Sequence, residues 1–159
     1  MTVLNQIAAL LDAAAVAYTR IDHPPTTTAK EAADARNLPM SLGGKSLVMK
    51  LGTSDDFAVF AVSGDRKTKS SLIRRALGVQ RFRFATRDEL HSLTGLVPGC
   101  VPPFGRPIFD LPLYVDQRIA GNERIAFSPG RHDVSFLMSV ADYLSVAQPE
   151  RIFPFSAPR

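Results

Sequence analysis

Gly43-Gly44-Lys45-Ser46-Leu47-Val48-Met49-Lys50-Leu51, the polar turn Gly52-Thr53-Ser54-Asp55-Asp56, and then Phe57-Ala58-Val59-Phe60-Ala61-Val62 decide the fold class. Two apolar runs of strand length around a short turn read as an antiparallel hairpin, and their near-continuous apolar character places them at the centre of a sheet. Lys45 stands at the hairpin's entrance. Beside two glycines and just before a buried strand, its head can reach a pocket at the sheet edge; a solvated strand-end lysine is the other reading of the same residues.

Downstream, Leu72, Ile73, Ala76 and Leu77 give a helix its buried stripe, closed by Gly78, with Arg74 and Arg75 on its flank. In Gln80 to Ala85, Arg81 and Arg83 alternate with Phe82 and Phe84, the pattern of a half-buried strand with one apolar and one cationic face. Thr86 caps a short helix, Arg87 to Leu93. Strands are expected at Ile108-Phe109, Leu111 to Val115, Arg124 to Phe127 and Val134 to Met138, then a closing helix, Val140 to Ala147, and a tail rich in Pro and Phe. Upstream, residues 3 to 15 carry Leu4, Ile7, Ala8, Leu11, Ala14 and Ala15 at helical spacing, with Thr2 as N-cap. A strand from Ala17 to Ile21 ends at Asp22-His23-Pro24-Pro25, because neither proline can donate to a ladder. Thr28 with Glu31 forms a capping-box pattern ahead of a helix from Ala29 to Arg36. Helices and strands mix without βαβ alternation, so the class is α+β: a mixed, mainly antiparallel, barrel-like sheet with flanking helices, in one domain spanning 1–159.

Thr94-Gly95-Leu96-Val97-Pro98-Gly99-Cys100-Val101-Pro102-Pro103-Phe104-Gly105 can continue neither a helix nor a central strand, yet its apolar residues are costly to leave in water. It is expected to be an ordered, partly buried loop. Its backbone groups either serve a bound molecule or form a rigid corner between strands. Ser128-Pro129-Gly130-Arg131-His132 is a second special loop.

Net charge is +4, unevenly placed. Between Arg66 and Arg87 lie Arg66, Lys67, Lys69, Arg74, Arg75, Arg81, Arg83 and Arg87, with no Asp or Glu. Such a block favours a polyphosphate or nucleic-acid partner; a plain solvated face is the alternative. The single cysteine, Cys100, excludes an internal disulfide and a zinc cluster and reads as a small buried residue. His23, His91 and His132 share no metal-binding spacing, and no G-x-S-x-G elbow is present, so no metal and no cofactor is expected. His23 is expected to brace the Pro24-Pro25 turn. No apolar run approaches membrane-spanning length, and a cytoplasmic protein is expected.

Four ordered stretches carry a resemblance: Asp22-His23-Pro24-Pro25, Gly44-Lys45-Ser46-Leu47-Val48-Met49-Lys50, Leu93-Thr94-Gly95-x-x-x-Gly99-x-x-Pro102-Pro103-Phe104, and Ile125-Ala126-Phe127-Ser128-x-Gly130. Together they resemble the YbaK/ProX family of aminoacyl-tRNA editing domains, relatives of the insertion domain of bacterial prolyl-tRNA synthetase. Ala141-Asp142-Tyr143-Leu144-x-x-Ala147-Gln148-Pro149-Glu150 is similar to the branch acting on seryl- and threonyl-tRNA. The resemblance implies a trans-editing hydrolase that cleaves the ester of mischarged tRNA carrying a small amino acid, Ser or Thr favoured and Ala or Cys accepted. It puts the essential lysine on Lys45 and the catalytic glycine loop on Gly95 to Gly99. Substrate contacts fall on His23, Pro102, Pro103, Ser128 and Gly130, although some relatives carry a histidine in place of Ser128. The resemblance also implies that the substrate's own ribose hydroxyl shares in activating the attacking water. Arg66, Lys67, Lys69, Arg74, Arg75, Arg81 and Arg83 would meet tRNA phosphates, and an aminoacyl-tRNA synthetase is a candidate partner. The rival function is a non-catalytic tRNA- or nucleotide-binding module on the same fold.

Overall fold

In the computed structural model, which describes residues 1–159, the chain begins with α1 (Val3–Ala13), β1 (Tyr18–Asp22), α2 (Ala29–Arg36), a 3-10 turn (Met40–Leu42), β2 (Gly44–Leu51), β3 (Asp56–Ser63) and β4 (Arg66–Thr68). It continues through α3 (Ser70–Leu77), β5 (Phe82–Phe84), α4 (Arg87–Thr94), β6 (Leu113–Asp116), α5 (Gln117–Ala120), β7 (Arg124–Phe127), β8 (Val134–Ser139), α6 (Val140–Ala147), β9 (Arg151–Phe153) and β10 (Ser156–Pro158).

The expected hairpin is the middle of a five-stranded sheet ordered β5-β2-β3-β6-β9, with Lys45 opposite Val62 and Leu51 opposite Asp56. β3 is buried on both faces, and its alternation explains why. Val59 and Ala61 enter the larger core beneath α1 and α6, whereas Ala58, Phe60 and Val62 enter a smaller core with Ile73, Phe153 and Phe155. A continuous apolar run is what a doubly covered central strand requires. An antiparallel sheet, β1-β8-β7, closes the larger core through Phe127, Phe136 and Met138, and β10 pairs with β4. The mixed α+β class is borne out. The strands form three separate sheets rather than one closed barrel, and β6 runs parallel to both β3 and β9.

Local signals placed most helices. Thr28 accepts from the Glu31 amide at 3.1 Å while the Glu31 carboxylate accepts from the Thr28 amide at 3.1 Å, the reciprocal pair that the Thr-x-x-Glu spacing announces. Gly78 closes α3 at φ 67, as read. Three expectations differ. α1 ends at Ala13, because Ala15 adopts φ 56 and drops Val16 back toward the core. Ile108-Phe109 is not a strand: both amides donate to the Gly105 carbonyl, at 2.9 and 3.0 Å, closing a turn, and Pro112 has no N–H with which to lengthen β6 upstream. Gln80–Ala85 shortens to a three-residue edge strand on β2, with Phe82 packed on the smaller core and Phe84 59% exposed, so its apolar face is not continuous.

Candidate functional site

Three glycines bring backbones together at the hairpin's mouth. The Gly64 amide donates to the Gly43 carbonyl at 2.9 Å. A Cβ on Gly44 would lie 2.6 Å from Ile125 Cδ1, and one on Gly64 would lie 2.8 Å from the Met40 carbonyl oxygen. A side chain at Gly64 would push its segment away from the Met40 turn, and one at Gly44 would have to displace the buried Ile125 side chain. A cavity of about 370 Å³ opens above them, walled by Thr26, Thr27 and Thr28 at the start of α2, by Ser46, Gly99 and Val101, and by Ser128.

Three cations reach this cavity, Arg36, Lys45 and Arg159, and no Asp, Glu, His or Cys lines it. Lys45 is the second residue of β2, in register with the buried Val62. Burial, and secondarily the nearby Arg159, pull its ammonium down to about 8, with Asp65 opposing. About nine-tenths of it therefore stays charged at pH 7, with a margin much narrower than an exposed lysine's. Arg36 ends α2; burial lowers its guanidinium to about 10, and it too is charged at neutral pH.

The glycine loop divides. Gly95 caps α4 at φ 73, donating to the His91 carbonyl at 2.7 Å, and lines a second cavity of about 710 Å³ with Leu96, Arg20 and Gly130. Gly99, at φ 93, belongs to the Lys45 cavity, where a Cβ would sit 3.1 Å from His132 Cε1. His132 Nδ1 lies 2.9 Å from the Thr26 carbonyl, which straps the threonine wall to the second special loop. Lys45, Gly99 and Ser128 thus come together, while Gly95 and Gly130 face elsewhere. Pro102 and Pro103 are buried beneath the loop, and the Pro103 carbonyl accepts from the Tyr143 hydroxyl; neither proline lines the cavity. Cys100 is buried as expected, its thiol pushed up by desolvation.

His23 braces its turn through Nδ1, 2.9 Å from the Pro24 carbonyl, while Nε2 lies 2.8 Å from Ser135 Oγ. It does not line the cavity itself but reaches it through Ser135, which accepts from Arg36 Nε at 2.7 Å. Arg36, Thr26 to Thr28, Ser46 and Gly64 are cavity residues that the sequence reading passed over. An Arg at the end of an Ala-rich helix carries no signal of its own, because its role depends on the return of β8 a hundred residues later.

The basic block is split between committed and free side chains. Arg66 donates to Ser156 Oγ at 2.7 Å, and Arg83 to Glu89 at 2.7 Å. Lys67, Lys69, Arg74, Arg75 and Arg81 are exposed with no carboxylate partner, and Arg74, Arg81 and Arg83 share one cleft with Lys50. No helix is long and apolar enough to cross a membrane.

The pattern that describes the aminoacyl-tRNA editing domain matches residues 23–146, from the His23 turn through most of α6. The chain belongs to that family. It is 30% identical over 152 residues, 93% of this chain and 90% of the relative, to the multifunctional Ser/Thr-tRNA deacylase ProXp-y of Escherichia coli K12. It is 23% identical to the prolyl-tRNA editing protein ProX of Acetoanaerobium sticklandii, covering 89% of this chain and 88% of that one. A 103-residue stretch, 65% of this chain, is 31% identical to the proline–tRNA ligase of Shouchella clausii but covers only 18% of that enzyme. Among solved structures, hypothetical protein APE2540 superposes with a TM-score of 0.84 at 21% identity, covering 96% of this chain and 99% of that one. A proposed trans-editing enzyme for prolyl-tRNA synthetase gives 0.81 at 24% identity, covering 99% and 98%.

Proposed function

We propose that this protein is a trans-editing deacylase that hydrolyses the ester between a wrongly attached small amino acid and the terminal adenosine of tRNA. The observation that carries the reading is the Lys45 cavity, rich in fixed cations and hydroxyls yet lined by no carboxylate, histidine or cysteine. Such a site is unsuited to a covalent route through a thiol or an imidazole-activated serine. It suits attack by water on an ester, which is already activated and needs chiefly positioning and stabilisation of the developing oxyanion. Lys45 supplies a desolvated positive charge for that oxyanion, the backbone at Gly99 supplies close approach, and the substrate's adjacent ribose hydroxyl is the group at hand to orient the water.

The walls set the substrate class. Thr26, Thr28, Ala32, Ser46 and Ser128 are small, and most carry a hydroxyl. They fit serine or threonine, the amino acids in the name of the Escherichia coli relative. A methylene is worth only about 1–3 kcal/mol of discrimination, so alanine and cysteine are turned over more slowly rather than refused. The free cations of the basic block hold the tRNA backbone, and a synthetase that supplies the mischarged tRNA is the natural partner, since related domains occur within proline–tRNA ligases. A time course of amino-acid release from tRNAs charged with serine, threonine, alanine, cysteine and proline tests this. Rapid release of serine or threonine is expected. Salt-sensitive tRNA binding with no release across the panel would make the chain a binding module instead.

A further inference from the structure

Oxyanion stabilisation by Lys45 leaves another half-buried cation of the cavity, Arg36, without a task. Its Nε donates to Ser135 Oγ at 2.7 Å, and Ser135 is fully buried. The direction of the chain behind it follows from chemistry. The Pro24 carbonyl can only accept, so His23 Nδ1 carries the proton, Nε2 accepts from the Ser135 hydroxyl at 2.8 Å, and the Ser135 lone pairs are turned to Arg36. This relay consumes one N–H of the guanidinium. Nη1 and Nη2 have no acceptor elsewhere in the protein, and none of the ion pairs includes Arg36. Nη1 lies over Gly43, 3.3 Å from where a Cβ would stand. A half-buried, partly desolvated guanidinium without a carboxylate weakens the fold unless an anion comes to it, and its planar fork matches two phosphate oxygens.

The reacting end of an aminoacyl-tRNA offers one such anion. The aminoacyl group itself carries an amino group that is largely protonated at neutral pH and is repelled by Arg36 and Lys45. The phosphodiester on the 5′ side of the terminal nucleotide is the nearest negative charge to the ester. We infer that Arg36 grips this terminal phosphodiester through Nη1 and Nη2, with Ser135 and His23 as positioning residues that aim the fork. The inference rests on the deacylase reading and deepens it. It divides the labour of the cavity: Arg36 fixes the nucleotide and Lys45 meets the ester.

The test compares seryl-adenosine with the same ester bearing a 5′-phosphate. The wild-type protein should prefer the phosphorylated ester in kcat/KM by about ten- to a hundredfold, the range of charge-assisted hydrogen bonds. In Arg36→Gln the preference should fall to within about twofold of unity. Arg36→Lys, which keeps the charge and loses the fork, should keep only part of it, and Ser135→Ala should reduce it. A merely structural Arg36 would lower both esters equally and leave the ratio intact; that result overturns the inference. Calorimetry with adenosine 5′-monophosphate and adenosine reads the same contact without turnover. If neither ester is hydrolysed by the wild type, the deacylase reading fails; loss of the monophosphate preference in Arg36→Gln would still uphold the phosphate grip, and equal affinities in both proteins would overturn it.

Discussion

Replacing Lys45 by methionine should make the protein more stable. The side chain is desolvated at the cavity wall, and its ammonium falls from an ordinary 10.5 to about 8. At 1.36 kcal/mol per pH unit the full penalty is about 3 kcal/mol. Solvent still reaches part of the side chain, and screening reduces this to about 1–2 kcal/mol. Methionine keeps the length and apolar stem of the lysine without the charge. The sign with pH follows from proton counts. Below about pH 8 both folded and unfolded chains hold the proton and the penalty stands in full. Between about 8 and 10.5 the unfolded chain holds more protons, so wild-type stability rises with pH, and above that window the penalty is gone. Urea unfolding of both proteins at pH 7 and pH 10 reads this directly, and at pH 7 the melting temperature of Lys45→Met should be about 3–6 °C higher. Taking the difference between the two proteins cancels every other titration. A variant equal to or less stable than wild type at pH 7, or a gap that fails to narrow toward pH 10, would refute the claim that Lys45 is held desolvated.

Gly44→Val should destabilise by about 1–3 kcal/mol in denaturant titration, since its first added carbon lies 2.6 Å from Ile125 Cδ1 in a packed region and the strand cannot shift without opening the hairpin's mouth; an unchanged midpoint would contradict that packing. Removing Lys67 and Lys69 together should lower the salt dependence of tRNA binding by about 1.4–1.8 in log–log slope, whereas Arg83→Ala should change it by much less, because Glu89 already neutralises that guanidinium. A drop of about 0.7–0.9 in Arg83→Ala, the full share of one phosphate contact, would show that Glu89 releases Arg83 to the nucleic acid.

The parts of this molecule that were legible in the sequence are those written locally. The β2–β3 hairpin is fixed by apolar runs and a polar turn, and α2 and α4 by Thr-x-x-Glu caps that form as spaced. Lys45 was singled out by the glycines and the buried strand beside it, but those residues left a solvated strand-end lysine open, and it was the family resemblance that put it in a site. What the sequence hid depends on segments that meet only after folding. β9 and β10 pair with partners far upstream, and Asp116, buried at their junction, accepts from the Phe155 amide and the Ser156 hydroxyl, both at 2.7 Å. The same holds for the cavity: Arg36 has meaning only once β8 delivers Ser135 to it, and the spacing that joined Gly95 to Gly99 gave no sign that an αL cap would turn them toward different cavities.

The most direct test is single-turnover hydrolysis of seryl- and threonyl-tRNA by Lys45→Ala beside the wild type, with folding checked by thermal melting. A cation placed at the developing oxyanion is expected to be worth about a hundredfold or more in rate, so the variant should bind tRNA, melt cooperatively and release amino acid at least about a hundredfold more slowly than the wild type. Wild-type hydrolysis in a folded Lys45→Ala protein would contradict the assignment of Lys45 to the chemistry.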